Sequence, residues 1–84
     1  MKPVTLYTTP FCPFCLRAKA LLDGKGVAYT DVDVSGRPEV RAEAAARAGM
    51  RTVPMIFIGD ECIGGYDDLA ALEHAGQLDE KLAA

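Results

Sequence analysis

The spacing of apolar positions changes several times along the chain, and each change marks an element. Val4-Thr5-Leu6-Tyr7 is a short β-rich run, closed by Thr8-Thr9-Pro10. After it the spacing lengthens, and Phe14, Ala18, Leu21 and Leu22 fall on one helical stripe. Pro13 suits a first helical position, where its missing N–H has no bond to lose. Gly24 and Gly26 stop the helix, which is predicted from Pro13 to Lys25. Alternation from Val27 to Val34 predicts a second strand. Ser35-Gly36-Arg37-Pro38 reads as a turn able to cap a helix from Glu39 to Ala48, in which Glu43 stands four before Arg47 and Gly49 ends the run. Val53 to Ile58 predicts a third strand, and Gly59-Asp60-Glu61 a tight hairpin loop to Cys62-Ile63. Gly64-Gly65 is a further turn. Asp67-Asp68 then begins a last helix reaching His74, its acids placed where the helix dipole favours them.

The order is β-α-β-α-β-β-α. Both strand–helix–strand steps read as parallel crossovers and the last two strands as an antiparallel hairpin. A four-stranded mixed sheet covered by three helices is the compact solution, an α/β fold of thioredoxin-like architecture. Eighty-four residues allow one such domain, spanning residues 1–84. With 50% apolar and 25% charged residues the chain is neither disordered nor low in complexity. No apolar run approaches the ~18–20 residues of a membrane span. Met1-Lys2-Pro3-Val4-Thr5 turns polar too early for a signal peptide, so a soluble, cytoplasmic protein is expected. The net charge of −3 and the lack of a basic run argue against a nucleic-acid partner. Arg37, Arg41, Arg47 and Arg51 gather in one region, as a solvated helix face or a small anion site.

Three cysteines, an odd and sparse count, point to chemistry more than to a disulfide framework. Two of them form Cys12-x-x-Cys15 at a strand-to-helix junction. There the helix dipole and unpaired backbone N–H groups stabilise a thiolate. Cys12 precedes the helix and should be exposed, whereas Cys15, one turn inside, should be less accessible. The first then attacks and the second resolves. A zinc half-site is the alternative, but Cys62 and His74 stand twelve residues apart, which matches no common second half. Thr52-Val53-Pro54 is a second signal, because proline cannot donate to a sheet ladder. A cis Val53–Pro54 bond would leave the Val53 backbone free for a ligand; an ordinary edge-strand proline is the other reading. Gly64-Gly65-Tyr66-Asp67-Asp68 places a turn before an acidic helix start, which capping alone could explain.

CPFC, TVP and GGYDD, in this order and with RAKALL and IFIGDECIGG between them, resemble the dithiol glutaredoxin family, in particular the short bacterial type. The resemblance covers essentially the whole chain. It implies a glutathione-dependent thiol–disulfide oxidoreductase that uses glutathione as co-substrate, needs no metal, and acts on glutathionylated or disulfide-containing proteins as a monomer. Ribonucleotide reductase is a substrate the family leads one to expect. By the same resemblance Cys12 is the nucleophile and Cys15 the resolving thiol. Val53, before a cis Pro54, pairs its backbone with the cysteinyl part of glutathione, while Asp67 and the Tyr66 N–H hold the γ-glutamyl end. Arg41 reaches the glycine carboxylate or is a solvent-facing helix residue, and Thr52 shapes the loop. Phe11, Pro13, Phe14 and Gly65 frame the site. Tyr66 replaces a smaller residue common in the family and could narrow the groove. Thr9 stands where many members carry a lysine, which removes a cation beside the site unless Arg17 or Lys19 compensates.

Two other functions compete. An iron–sulfur carrier would bridge two chains through Cys12 and glutathione, but such members have a CGFS-like motif and Pro13 argues against it. A thioredoxin-like reductant fed by a flavoprotein reductase is kept open by Thr9. Outside the pair, Cys62 reads as a small apolar strand residue, His74 as a solvated residue in a last helical turn, and Tyr7, Tyr29 and Phe57 as packing residues.

Overall fold

A computed structural model describes residues 1–83. Strand β1 is Val4–Thr8, helix α1 Pro13–Gly24, β2 Thr30–Asp33, α2 Pro38–Ala48, β3 Met55–Ile58, β4 Glu61–Gly64 and α3 Tyr66–His74. A fourth helix, α4 over Leu78–Ala83, follows them. The sheet order is β2-β1-β3-β4, with β1 and β2 parallel and the β1–β3 and β3–β4 pairs antiparallel. This is the thioredoxin-like fold, with an additional helix beyond the three predicted.

The second strand–helix–strand step corrects the expected topology. It is no parallel crossover: β3 enters antiparallel to β1, with Tyr7 opposite Met55 and Val4 opposite Ile58. Gly49 ends α2 in the left-handed region at φ 70° and turns the chain there. The start of β3 therefore lies at the end of the sheet where β1 stops. The loop before β3, carrying Val53 and Pro54, is thus brought to the loop after β1, carrying Cys12. A parallel β3 would have put these two loops at opposite ends of the molecule.

Side-chain alternation along the strands divides the core. Val4, Leu6, Ile56 and Ile58 face Ala18 and Leu22 of α1, Leu69 of α3, and Leu78 and Leu82 of α4. Met55 and Phe57 face the opposite way, against Ala44 of α2. Because both faces of β3 are covered, all four of its residues are buried. Strand β2 is an edge and shorter than the alternation predicts; Val27 and Val34 at the ends of that run are buried, but only Thr30 to Asp33 pair with β1.

Two predicted side-chain placements change. Phe14 does not join the stripe of α1, whose buried residues are Cys15, Ala18 and Leu22. Arg47 does not turn to Glu43: its guanidinium lies 4.7 Å over the Phe57 ring and donates to the Tyr7 hydroxyl, making a cation–π contact in place of an exposed ion pair. Tyr7 and Phe57 meet edge to face at 5.6 Å, the packing role expected of them.

Leu22 is fully buried between the sheet and the helices. Leu22→Ala is expected to lower unfolding stability by about 2–5 kcal/mol. That is a large share of what a domain of this size holds, and the midpoint of a urea titration would show it.

Candidate functional site

Cys12 is the N-cap residue of α1, in extended conformation, with Pro13 at the first helical position. Its sulfur fills the place a serine or aspartate oxygen takes at other helix starts: Sγ accepts from the Cys15 backbone N–H at 3.1 Å. The thiol also faces the Val53 carbonyl, with Sγ and the oxygen 3.7 Å apart. Cys12 is therefore held between the N-terminus of α1 and the loop before β3, half-buried and open to an incoming sulfur.

Cys15 lies one turn inside the helix and is fully buried, as its position in the stripe requires. Burial pushes its thiol up to about 12, aided by the hydrogen bond to and the charge of Cys12, and opposed by a backbone hydrogen bond at Thr9 and the charge of Lys19. At neutral pH Cys15 is a thiol. Two of these upward influences come from the Cys12 sulfur and disappear once that sulfur enters a mixed disulfide. Cys15 becomes more acidic at the step that needs its thiolate.

The peptide bond Val53–Pro54 is cis, which decides between the two readings of that proline. Val53 and Pro54 form one wall of a groove of about 440 Å³, and Thr52, Phe14, Gly65, Tyr66 and Asp67 line it with them. This volume falls within the range of small-molecule sites, roughly 300–1,000 Å³. The far end of the groove is the start of α3. There the Asp68 carboxylate accepts from the Gly65 N–H at 3.0 Å. It approaches Gly64 so closely that a Cβ on that residue would overlap it, and Gly64 has φ 108° besides. Asp67 stays exposed in the first turn, where the helix dipole adds a positive end for an anion beside its own negative charge.

The structure thus gathers Thr52, Val53, Pro54, Gly65, Tyr66 and Asp67 around one groove beside the cysteine pair. Arg41 is outside the groove wall: its guanidinium donates to the Arg51 carbonyl at 3.2 Å, at the foot of the loop that carries Thr52 and Val53. Phe11 is 96% exposed beside Cys12. Phe14 packs its ring 6.4 Å from that of Tyr66 and carries the Arg17 guanidinium 5.2 Å above it. Neither Arg17 nor Lys19 takes the place of a cation at Thr9, since Arg17 is on Phe14 and Lys19 pairs with Asp31 at 2.6 Å. Met50 and Asp68 also line the groove and were not among the predicted site residues. Asp68 was legible only as a helix cap, which it also is. Met50 follows the helix stop Gly49 and carries no local signal of a site. Cys62 is half-buried against the α2-side core, and His74 is exposed in the last turn of α3.

Residues 4–63 match the sequence profile of the family described as Glutaredoxin. The chain is 55% identical over 84 residues to the glutaredoxin of Pseudomonas aeruginosa, covering 100% of both chains. It is 50% identical to the glutaredoxin of Brucella melitensis, whose solution structure superposes with a TM-score of 0.86 over 100% of this chain and 94% of that one. A crystal structure of a buckwheat glutaredoxin–glutathione complex superposes with a TM-score of 0.90 at 29% identity, covering 98% of this chain and 77% of that one.

Proposed function

The chain belongs to the glutaredoxin family of thiol–disulfide oxidoreductases, and from that premise we propose that glutathione is its electron donor and that its substrates are protein–glutathione mixed disulfides and protein disulfides. The observation that carries this reading is the groove whose Val53 wall adjoins Cys12 and whose far end is the start of α3. Its chemistry suits a γ-glutamyl tripeptide along its length. Asp67 offers a carboxylate to the γ-glutamyl ammonium, and the first N–H groups of α3 offer donors to the neighbouring carboxylate. The Val53 backbone lies beside the position a cysteinyl residue takes when its sulfur is bonded to Cys12. Arg41 and Arg51, joined through the Arg51 carbonyl, supply positive charge near the Thr52 end for the glycine carboxylate. The buckwheat relative forms a complex with glutathione, which supports the same ligand class.

With a glutathionylated protein, the Cys12 thiolate attacks the glutathione sulfur. The protein thiolate departs reduced, and a Cys12–glutathione disulfide remains. A second glutathione thiolate attacks that disulfide, releasing oxidised glutathione and restoring Cys12. With a protein disulfide, Cys12 attacks first and Cys15 then attacks Cys12, closing the intramolecular disulfide and releasing the reduced protein. Two glutathiones reopen it. We place this chemistry in a cytoplasmic monomer.

The test is turnover of a glutathionylated peptide by the purified protein with glutathione, glutathione reductase and NADPH. Activity is expected there and not with thioredoxin reductase as sole electron source. The opposite result would replace glutathione by a flavoprotein reductase and end this reading. Asp67→Asn should raise the KM for glutathione by roughly ten- to a hundredfold, since a charge-assisted hydrogen bond is worth ~1.5–3 kcal/mol, with a smaller change in kcat.

A further inference from the structure

Beneath the cysteine pair lies a polar cluster that the reaction as described does not use. Thr8, the last residue of β1, is 1% exposed, and its hydroxyl donates to one carboxylate oxygen of Asp31. The other oxygen of Asp31 holds the Lys19 ammonium at 2.6 Å. Lys19 belongs to α1, four residues after Cys15, so the two side chains are neighbours on the helix surface. Its side chain is 25% exposed, and its ammonium is drawn in from solvent toward β2 by the Asp31 contact. Asp31 is itself anchored, opposite Leu6 in the parallel register of β1 and β2. The carboxylate thus has both oxygens committed. Lys19 is thereby held as a fixed ammonium one turn of α1 beyond the buried thiol.

We propose that Lys19, held in place by Asp31 and Thr8, favours the thiolate of Cys15 when that residue resolves the mixed disulfide on Cys12. This deepens the reading of Cys15 as the resolving thiol and rests on it. In that step the Cys15 Sγ–H loses its proton to solvent and the sulfur attacks Cys12 Sγ. The bond from Cys12 to the substrate sulfur breaks as the Cys12–Cys15 bond forms; Cys15 is oxidised and the departing substrate thiolate is reduced. A sulfur that must become an anion at a buried position, where water gives the charge little support, needs a charge from the protein. Burial is the largest influence raising the Cys15 thiol, and Lys19 is the charged side chain that acts in the opposite direction, with a smaller effect. Its own hydrogen bond to Asp31 pushes its ammonium above the usual lysine range, so the charge persists wherever the reaction runs. Asp31 and Tyr29 face the ammonium from β2 and the segment before it, with Asp33 nearby, and Cys12 faces Cys15 from the helix start. Lys19 and Asp31 support Cys15 from a distance and need not touch the substrate.

The closure step can be read directly by mixing the reduced protein with the aryl disulfide dithiobis(nitrobenzoate), in a Cys62→Ala background so that the third thiol is silent. Attack by Cys12 releases one equivalent of the coloured thiolate, and attack by Cys15 on the resulting mixed disulfide releases the second. For Lys19→Met, the ratio of the second rate to the first should fall severalfold at neutral pH, as the thiolate fraction of Cys15 falls. The pH profile of the second phase should move upward to match. Lys19→Arg should restore both. Lys19→Met combined with Asp31→Asn leaves no unpaired carboxylate, and its second phase should stay slow. An unaltered ratio in Lys19→Met, an equal slowing of both phases, a slowing without a pH displacement, or recovery in the double variant would each overturn the proposal. A second phase that survives Cys15→Ser would instead overturn the assignment of Cys15 as resolving thiol.

Discussion

Cys12→Ser is expected to lose all glutathione-dependent turnover, by roughly a thousandfold or more, with glutathionylated peptides and with protein disulfides alike. Both routes begin with the Cys12 thiolate, and a serine hydroxyl at neutral pH is neither ionised nor a sulfur able to exchange. The substitution has the further merit of sparing the fold. Cys12 caps α1 through its sulfur, accepting from the Cys15 N–H at 3.1 Å, and a serine oxygen fills that role well. Thermal unfolding should therefore show a domain of near wild-type stability, so that the loss belongs to the chemistry. The coupled NADPH assay on both substrates is the measurement. Turnover above background in Cys12→Ser would show that the reaction starts elsewhere, with Cys15 or Cys62.

Cys15→Ser should separate the two routes. Discharge of the Cys12–glutathione disulfide by a second glutathione does not involve Cys15, so deglutathionylation should persist. Reduction of a protein disulfide, which needs a neighbouring thiol to release the trapped substrate, should fall by roughly a hundredfold or more. The pH dependence carries the same information with a definite sign. Burial, the largest of the influences that raise the Cys15 thiol, persists when Cys12 is in a mixed disulfide and keeps the thiol above the neutral range. Below its pKa each unit of pH raises its thiolate fraction about tenfold. Closure in the wild type should accelerate with rising pH through the neutral range, and the acceleration should vanish with Cys15→Ser. Stopped-flow release of a chromophoric thiolate from a mixed disulfide on Cys12 would record both effects. Equal loss of the two activities in Cys15→Ser would mean that Cys15 serves the fold or the glutathione step and does not resolve.

Most of the secondary structure was legible because it rests on short-range causes. Pro13 and Pro38 mark first helical positions, Gly49 ends α2 in the left-handed region, and the apolar run of β3 is buried on both faces. The misses share another cause. Helix α4 is six residues long and places only Leu78 and Leu82 in the core, one i, i+4 pair that no window of sequence distinguishes from a polar tail. Phe14 has the spacing of a core residue, yet its ring lies with Tyr66 at the groove because the loop at Pro54 and the start of α3 leave an opening there. Arg47 has Glu43 at helical spacing but meets Phe57 and Tyr7, which come from strands nearly adjacent to α2 only in the folded chain.

The cysteine pair, its place at a helix start, the order of exposure of its two sulfurs and the position of the Val53–Pro54 loop in the chain were all set by residues close in sequence. Local spacing carries them, since capping, dipole and burial at one helix end depend on a few neighbours. Three things belonged to the tertiary structure alone. The antiparallel entry of β3 brings Val53 to Cys12, because the partner of a strand is chosen by which face and which edge remain open after the rest has packed. The cis Val53–Pro54 bond, ambiguous on local grounds, is resolved in the folded loop. The cluster of Thr8, Lys19 and Asp31 under Cys15 joins residues up to 23 apart in sequence; a buried thiol acquires its electrostatic surroundings only when β1, α1 and β2 are assembled, and no spacing along a chain encodes that field.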